Sequence, residues 1–400
     1  MKTRPEMSSL AWPGAVLGTV IALGLLDQQV VTPLIAALAA GLRVGVAEVG
    51  LAISAYSFAA ALAALVMGPL SDSRGRRPFL LLGATLMLAS AVVISLTPHF
   101  AAFVLARIAS GFAGGTIAAL AVAWVADLVP YRRRGRVMAF LMGGAMGAAI
   151  LGQVGAAFAA GRFGHHVVYG VIAALAALTL AMLLGLPEAR PRENVRGPLG
   201  RKLAGHLEFL RSPVHRTAAF AAFCMSGSLV GVSAYASGWL QEVRGFSLEE
   251  VGVLYGGLGA AVMAAQLIAG PLADRLGKRR FSVLVSGAVA MMTPVLPRLA
   301  GTPLVVALLV FGCLAVARIA AFTALRSELV PQSRRASFLG FSNVFSQFGI
   351  AGAVAAGGLL YPYGFEAVCW LMAGLGVIAL VLIARVPEPG PVAETASADG

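Results

Sequence analysis

The sequence is poor in charge. Only 12% of its 400 residues are Asp, Glu, Lys or Arg, whereas 59% are hydrophobic. A soluble domain of ordinary composition carries about 25% charged residues, so the composition excludes a typical soluble globular protein. Long apolar runs separated by short charged segments indicate an integral membrane protein.

Cysteines and catalytic motifs are also scarce. The three Cys residues all fall within apolar runs, which favours reduced, packed thiols over a disulfide framework or a zinc site. The sequence has no HExxH, GxSxG or P-loop motif and no paired carboxylates inside an apolar run. We therefore expect neither an enzyme nor a cofactor nor a bound metal.

The apolar runs have the length of membrane-spanning helices. The first, 12–39, is too long for the cleaved hydrophobic region of a signal peptide, so we interpret it as a retained span. Segments of about 20 apolar residues predict spans at 12–39, 49–70, 79–97, 101–125, 137–160, 166–186, 217–240, 251–273, 281–300, 303–325, 337–361 and 365–385. Because they show no alternating pattern, we expect an all-α protein with twelve transmembrane helices and no barrel.

The basic residues predict the orientation. With the N-terminus inside, the cytoplasmic segments hold 24 of the 30 Lys and Arg residues, and the external loops hold four, namely Arg43, Arg162, Arg244 and Arg298. This bias predicts cytoplasmic N- and C-termini. The net charge of +13 is spread over many short loops, which indicates anionic membrane lipid as a partner and argues against nucleic acid.

The chain contains an internal repeat. The stretch 68–78, GPLSDSRGRRP, matches 270–280, GPLADRLGKRR, at six of eleven positions. We call these two stretches the cassettes. The stretch 127–130, DLVP, similarly matches 328–331, ELVP, at nearly the same offset. A duplicated unit of six spans explains both matches, and an even number of spans gives both copies the same orientation.

The repeat predicts three regions. They are an N-terminal six-helix bundle (1–187), a cytoplasmic linker (188–216) and a C-terminal six-helix bundle (217–400) that ends in a short cytoplasmic tail. Within the linker, Leu199–Leu210 could form a short amphipathic helix on the membrane surface.

Both cassettes resemble a signature of the major facilitator superfamily of transporters. Residues Gly68, Leu70, Asp72, Gly75, Arg76 and Arg77 match the pattern G-x-L-A-D-R-x-G-R-R/K. Ser73 stands where the family usually has Arg, although Arg275 occupies that position in the second copy. The stretch 107–114, RIASGFAG, resembles the fourth-span pattern R-x-x-x-G. In the fifth span, Gln153 follows Gly152 where drug antiporters of the family carry Pro.

This resemblance implies the fold of two parallel six-helix repeats and a function. We expect a monomeric secondary transporter of the efflux-type branch in the cytoplasmic (inner) membrane, which moves a small organic solute by alternating access in antiport with protons. One alternative is an importer or facilitated exchanger of an anionic or neutral metabolite. A second is a membrane sensor that does not transport.

Asp27 is the only acidic residue inside a predicted span. Charged groups at a helix centre cost roughly 2.5–3.5 kcal/mol on insertion scales, so they usually face a cavity or a partner. Arg107 lies at a similar depth, and the two can pair. We expect Asp27 to bind substrate or a proton while Arg107 controls its charge. The alternatives are a purely structural ion pair, or an Asp27 that bonds to Gln28 and a backbone carbonyl.

Arg318 is the other charge within a span, and it has no acidic residue near it in the spans of the second half. It either contacts a polar or anionic group of the substrate or extends along the helix toward the inner surface. Together the charges within spans sum to about +1, which favours neutral, zwitterionic or anionic solutes.

Several uncharged polar residues are further candidates for substrate binding. They could instead join helices by hydrogen bonds. These residues are Gln153, Gln266, Asn343 and Gln347. Tyr235 in the seventh span is a further candidate, which we expect to stack on a substrate.

The cassettes themselves predict conformational control at the inner ends of the two halves. A positive-inside bias explains their Arg residues but not the repeated Asp and Gly. The resemblance to the family implies that Asp127 pairs with a cassette Arg. The predicted gating residues are Gly68, Asp72, Gly75, Arg76, Arg77, Asp127, Gly270, Asp274, Gly277, Lys278, Arg279 and Glu328.

Overall fold

The computed structural model describes residues 7–128, 131–186 and 205–388. In these residues, twelve helices are long and apolar enough to cross a membrane, as predicted. They are α1 (Met7–Leu42), α2 (Val46–Arg74), α3 (Arg77–Leu96), α4 (Phe100–Leu128), α5 (Tyr131–Phe163), α6 (His165–Leu184), α7 (Pro213–Glu242), α8 (Leu248–Leu276), α9 (Lys278–Met292, which reaches membrane-spanning length with the 3₁₀ segment that continues it to Arg298), α10 (Gly301–Glu328), α11 (Arg335–Leu360) and α12 (Phe365–Arg385).

Within the described ranges, four short 3₁₀ segments accompany these helices. One continues α9, and the others precede α7, precede α11 and follow α11. They span Glu208–Arg211, Thr293–Arg298, Gln332–Arg334 and Tyr361–Tyr363.

Helix packing repeats between the two sets of six. In the first set, α1 packs against α5, α2 against α4, and α3 against both α4 and α6. The equivalent pairs recur in the second set as α7 with α11, α8 with α10, and α9 with both α10 and α12. The two sets meet where α2 packs on α11, α5 on α8, and α1 on α7.

Each cassette forms a tight turn between two helices. Gly75 ends α2 with a φ of 89°, and Gly277 ends α8 with a φ of 86°. This left-handed region carries a penalty for any residue with a Cβ. Gly75 and Gly277 are therefore required by the backbone, which charge alone did not explain. We refer to this end of the bundle as the cassette end.

Helix α7 begins at Pro213, before the predicted start of this span at 217, so the linker is shorter than predicted. Ser212 caps the helix, because its Oγ accepts a hydrogen bond from the backbone N–H of His215. Much of the predicted surface helix, 199–204, lies outside the described residues. The described part of this segment, from 205 onward, is anchored by the buried side chain of Phe209. The Arg334 guanidinium lies 4.9 Å from the Phe209 ring. Arg334 also donates to Glu208 and lowers the pKa of that carboxyl through the hydrogen bond and its charge.

Candidate functional site

A central cavity of about 350 Å³ lies between the two sets of helices. Its walls come from α1, α2 and α5 on one side and from α7, α8, α10 and α11 on the other. None of its described lining residues carries a charge. Aliphatic and aromatic side chains form most of the wall, which is typical of small-molecule sites. The polar lining residues are Gln28, Gln29, Thr32, Tyr56, Ser57, Gln153, Ser233 and Tyr255.

Amide groups form one wall of the cavity. Gln153 Nε2 on α5 donates to Gln29 Oε1 on α1 at 3.0 Å. Gln28 lies beside Gln29 and lines the same cavity. Amide side chains present both donors and acceptors, so this wall can hydrogen-bond the hydroxyl, carbonyl or amine groups of a solute.

The facing wall carries hydroxyl groups. Tyr255 Oη on α8 donates to the Ser233 carbonyl oxygen on α7 at 2.7 Å. This bond fixes the Tyr255 ring at the cavity surface, where Ser233 also lies. The two walls together present neutral hydrogen-bonding groups around an apolar space.

Asp27 and Arg107 form a buried ion pair behind the cavity. Arg107 Nη1 donates to Asp27 Oδ1 and Oδ2 at 3.1 Å each and to the Asp27 carbonyl oxygen at 3.2 Å. Each residue is only 1% exposed, and neither lines the cavity. In a low-dielectric interior such a pair is stable only while both charges are present.

Tyr56 on α2 lies between the ion pair and the cavity. Tyr56 is one of the residues that line the cavity, its hydroxyl packs against Gly114 of α4, and the Arg107 guanidinium carbon lies 4.3 Å from the centroid of its ring. A cation over an aromatic face is attracted by the ring quadrupole, and the attraction strengthens when water is excluded. Tyr56 is therefore in contact with both the charged pair and the solute space.

Glycines on α4 hold α2 at this close distance. A Cβ on Gly111 would lie 2.2 Å from the Tyr56 carbonyl oxygen, and one on Gly115 would lie 2.2 Å from the Ala60 carbonyl oxygen. Small residues four apart allow membrane helices to approach closely. The Gly-rich run after Arg107 thus fixes Tyr56 over the guanidinium.

Arg318 lies outside the cavity and is fully buried. Its Nη2 donates to Ser228 Oγ at 2.8 Å and to the Met225 carbonyl oxygen at 3.2 Å. In this state it joins α10 to α7 and does not extend to the surface. Arg326, two turns further along α10, is a second buried arginine on this helix, although the predicted span ends at 325.

Tyr235 also lies away from the cavity, where α7 meets α2 and α11. It is fully buried, and its hydroxyl donates to the Val354 carbonyl oxygen at 2.7 Å. Gly50 and Gly358 pack directly against this hydroxyl. The other uncharged candidates do not line the cavity either: Gln266 and Asn343 are exposed, and Gln347 is half-buried.

The second cassette makes an ion-pair network. Lys278 Nζ donates to the Glu328 carboxylate and lies 3.8 Å from Asp274 Oδ1. These residues are the repeat counterparts of Arg76, Asp127 and Asp72. The side chains of Asp72 and Asp127 lie outside the described residues.

The remaining cassette residues make backbone contacts. Arg77 Nη2 donates to the Leu184 carbonyl oxygen at the end of α6, at 2.6 Å. The Arg279 backbone N–H donates to Glu388 at 3.4 Å. Gly68 and Gly270 lie inside α2 and α8, and open space surrounds the Cβ position of each.

Contacts between the two sets of helices close the cavity at the end opposite the cassettes. Ser237 Oγ on α7 donates to the Pro33 carbonyl oxygen on α1 at 3.1 Å. Ser54 Oγ on α2 donates to the Ala351 carbonyl oxygen on α11. On α8, the Cα of Gly252 lies against Ala157 of α5.

Sequence reasoning missed most of the cavity lining. It selected Gln153 but not Gln29, Tyr56 or Tyr255, because a single polar residue in a span carries no sign of what it faces. One signal was available. Gln28, Gln29 and Thr32 follow Asp27 within two turns of α1, which is an unusual density of polar groups for a span.

Comparisons with known proteins agree with this architecture. The family model described as Major Facilitator Superfamily matches residues 17–317 and 250–400. The chain therefore belongs to the major facilitator superfamily, and it is an integral membrane transporter of small solutes.

Among curated relatives, the "Uncharacterized MFS-type transporter YwfA" of Bacillus subtilis (strain 168) is 25% identical over 369 residues, covering 89% of this chain and 87% of the relative. A "D-xylose transporter" of Levilactobacillus brevis is 31% identical over 186 residues, 46% of this chain and 39% of the relative. A crystal structure of a D-xylose-proton symporter superposes with a TM-score of 0.75 at 17% identity, over 95% of this chain and 98% of that one. An inward-open structure of the xylose transporter XylE from E. coli gives a TM-score of 0.73 at 17% identity, over 94% of this chain and 96% of that one.

Proposed function

We propose that this protein is a proton-coupled carrier of a small neutral solute. The observation that supports the proposal is a central cavity with neutral hydrogen-bonding walls, separated by one tyrosine from a buried Asp27–Arg107 pair. The cavity is the solute site, and the ion pair is the proton site.

The absence of charge in the described lining favours a neutral solute. A charged solute would lose its hydration in the cavity without gaining a countercharge there, and burial of an unpaired charge is strongly unfavourable. A neutral solute with hydroxyl, carbonyl or amide groups finds donors and acceptors in Gln29, Gln153 and Ser57. Its apolar parts contact the aliphatic wall. This argues against the anionic metabolite considered from the sequence.

The chemistry of the pair supports the proposed proton coupling. A proton on Asp27 removes the countercharge of Arg107, so the guanidinium must find new partners or shift. The charge state of Asp27 and the arrangement of α1, α2 and α4 are thereby linked. A buried ionisable pair of this kind is a default functional site in a membrane protein.

Transport proceeds by alternating access, in which the halves 1–187 and 217–400 rock around the cavity. We propose that the cassette end faces the cytoplasm, with both termini inside the cytoplasmic membrane, because basic residues concentrate there. The carrier acts as a monomer among anionic lipids. Export in exchange for protons is the direction that the resemblance to efflux-type families favours.

A second candidate is proton-coupled uptake of a pentose. The names of the D-xylose transporter and the D-xylose-proton symporter support it, as does the neutral cavity. The two candidates share the site and the coupling ion and differ in direction.

Flux measurements in proteoliposomes test the proposal. A panel of neutral, anionic and cationic solutes that includes D-xylose is tested with and without an imposed pH gradient. We expect an imposed pH gradient to drive the flux of a neutral solute. Asp27→Asn should abolish this pH-driven flux. Glu366→Gln is the matched control, because it removes an exposed carboxylate at the end of the bundle opposite the cassettes.

Three results would count against the proposal. Binding of solutes without net movement would indicate a sensor. If only charged solutes are transported, the cavity is not a site for a neutral solute. If pH-driven flux survives Asp27→Asn, the Asp27–Arg107 pair is not the proton site. Right-side-out and everted vesicles distinguish uptake from export.

A further inference from the structure

The ion pair and the solute cavity are separate compartments in this structure. Asp27 and Arg107 are each 1% exposed and do not line the cavity. A solute in the cavity therefore cannot touch either charged group directly. Coupling between the two compartments requires a side chain that contacts both.

Tyr56 makes both contacts. It lines the cavity while its ring lies 4.3 Å from the guanidinium carbon of Arg107. The backbone at Tyr56 is fixed, because Gly111 of α4 packs against its carbonyl oxygen. While α2 and α4 stay packed in this way, Tyr56 responds to a change in the ion pair by a movement of its ring.

The direction of the response follows from electrostatics. While Asp27 is charged, Arg107 Nη1 is held by both carboxylate oxygens. When Asp27 is neutral, this attraction is lost, and the aromatic face becomes a major remaining partner of the buried cation. The balance between carboxylate and ring thus sets where the guanidinium lies, and with it the position of the Tyr56 side chain beside the cavity.

We propose that Tyr56 is the positioning residue through which the charge state of the Asp27–Arg107 pair controls the wall of the solute cavity. This inference rests on the proposed function, because it assumes that the cavity holds the solute and the pair holds the proton. It adds the specific connection between them. The aromatic face of Tyr56 is required, and its hydroxyl is not.

A thiol-accessibility experiment tests this without knowledge of the solute. Cys224, Cys313 and Cys369 are replaced by Ala, and Ser57→Cys places a reporter in the cavity wall next to Tyr56. A small methanethiosulfonate reagent modifies the reporter at one fixed pH. Ser233→Cys on the facing wall, in a separate protein, reports on changes that affect the whole cavity.

The experiment is a double-mutant cycle. Asp27→Asn mimics the protonated carboxylate, and it is combined with Tyr56→Phe or with Tyr56→Leu. We expect Asp27→Asn to change the ratio of the Ser57→Cys rate to the Ser233→Cys rate by about threefold or more when residue 56 is aromatic. In the Tyr56→Leu background the ratio should not respond to Asp27→Asn.

Two outcomes overturn the inference. One is an equal response to Asp27→Asn in the Tyr56→Leu background, and the other is no response in any background. If Asp27→Asn does not yield a monodisperse protein, pH replaces it as the variable, with rates normalised to a free thiol at each pH and judged by the same criteria.

The failure of this inference is distinguishable from the failure of the proposed function. If Asp27→Asn abolishes pH-driven flux but the reporter ratio does not depend on Tyr56, only the inference fails. If pH-driven flux survives Asp27→Asn, the proton site itself is wrong.

Discussion

The buried pair of Asp27 and Arg107 stabilises the protein only while both charges are present. Arg107 Nη1 contacts both carboxylate oxygens at 3.1 Å, and each residue is 1% exposed. Asp27→Asn leaves a buried guanidinium facing a neutral amide, and Arg107→Leu leaves a buried carboxylate. Removal of one member of a buried pair costs about 3–5 kcal/mol, so each single variant should lose about that much unfolding free energy.

The double variant Asp27→Asn/Arg107→Leu should be more stable than the sum of the single effects predicts. It leaves no buried charge, so we expect a coupling of about 2–3 kcal/mol. The assay is unfolding in mixed detergent micelles with increasing SDS, followed by circular dichroism. The exposed pair of Arg298 and Glu366, at 2.8 Å, is the control, with an expected coupling below about 1 kcal/mol. Additive single effects at Asp27 and Arg107 would refute the reasoning.

Two further predictions follow from the helix packing and the cassettes. Gly111→Ala should lower the unfolding free energy by about 1–3 kcal/mol, because its Cβ would lie 2.2 Å from a backbone oxygen of α2. Gly143→Ala, where the Cβ meets open space, should be nearly neutral in the same SDS titration. Lys278→Ala, which breaks the pair with Glu328, should slow maximal flux about two- to fivefold and leave the half-saturating solute concentration unchanged. Asp72→Ala should act in the same way in the first cassette, and a selective loss of solute affinity in either variant would contradict the gating role.

The fold could be predicted from the sequence because hydrophobic length is a strong signal. All twelve predicted spans are helices, since a bilayer leaves few other ways to satisfy the backbone. The boundaries differ by several residues, as at Pro213, because helices continue past the apolar segment. The turn at Gly75 was visible as a repeated glycine, but its positive φ was not.

The site was predictable only where charge marks it. Asp27 and Arg107 were selected because ionisable groups inside spans are rare. Tyr56 was not, since tyrosine occurs in spans for many reasons and its partners lie on other helices. Tyr235 shows the opposite error. It has the chemistry of a solute contact, but tertiary packing places it against Gly50 and Gly358, outside the cavity.

Tyr235 gives the opposite end of the bundle an unusual seal. Its hydroxyl bonds to Val354 on α11, which belongs to the same set of six helices, and Gly50 of the other set packs against it. The hydrogen bonds from Ser237 to Pro33 and from Ser54 to Ala351 join the two sets at this end, whereas Tyr235 contributes by shape, because its own hydrogen bond lies within one set. A methyl group on Gly50 would lie 2.1 Å from the hydroxyl oxygen and act as a wedge. Gly50→Ala should therefore shift the resting population toward the state open at that end, and could be used to trap it.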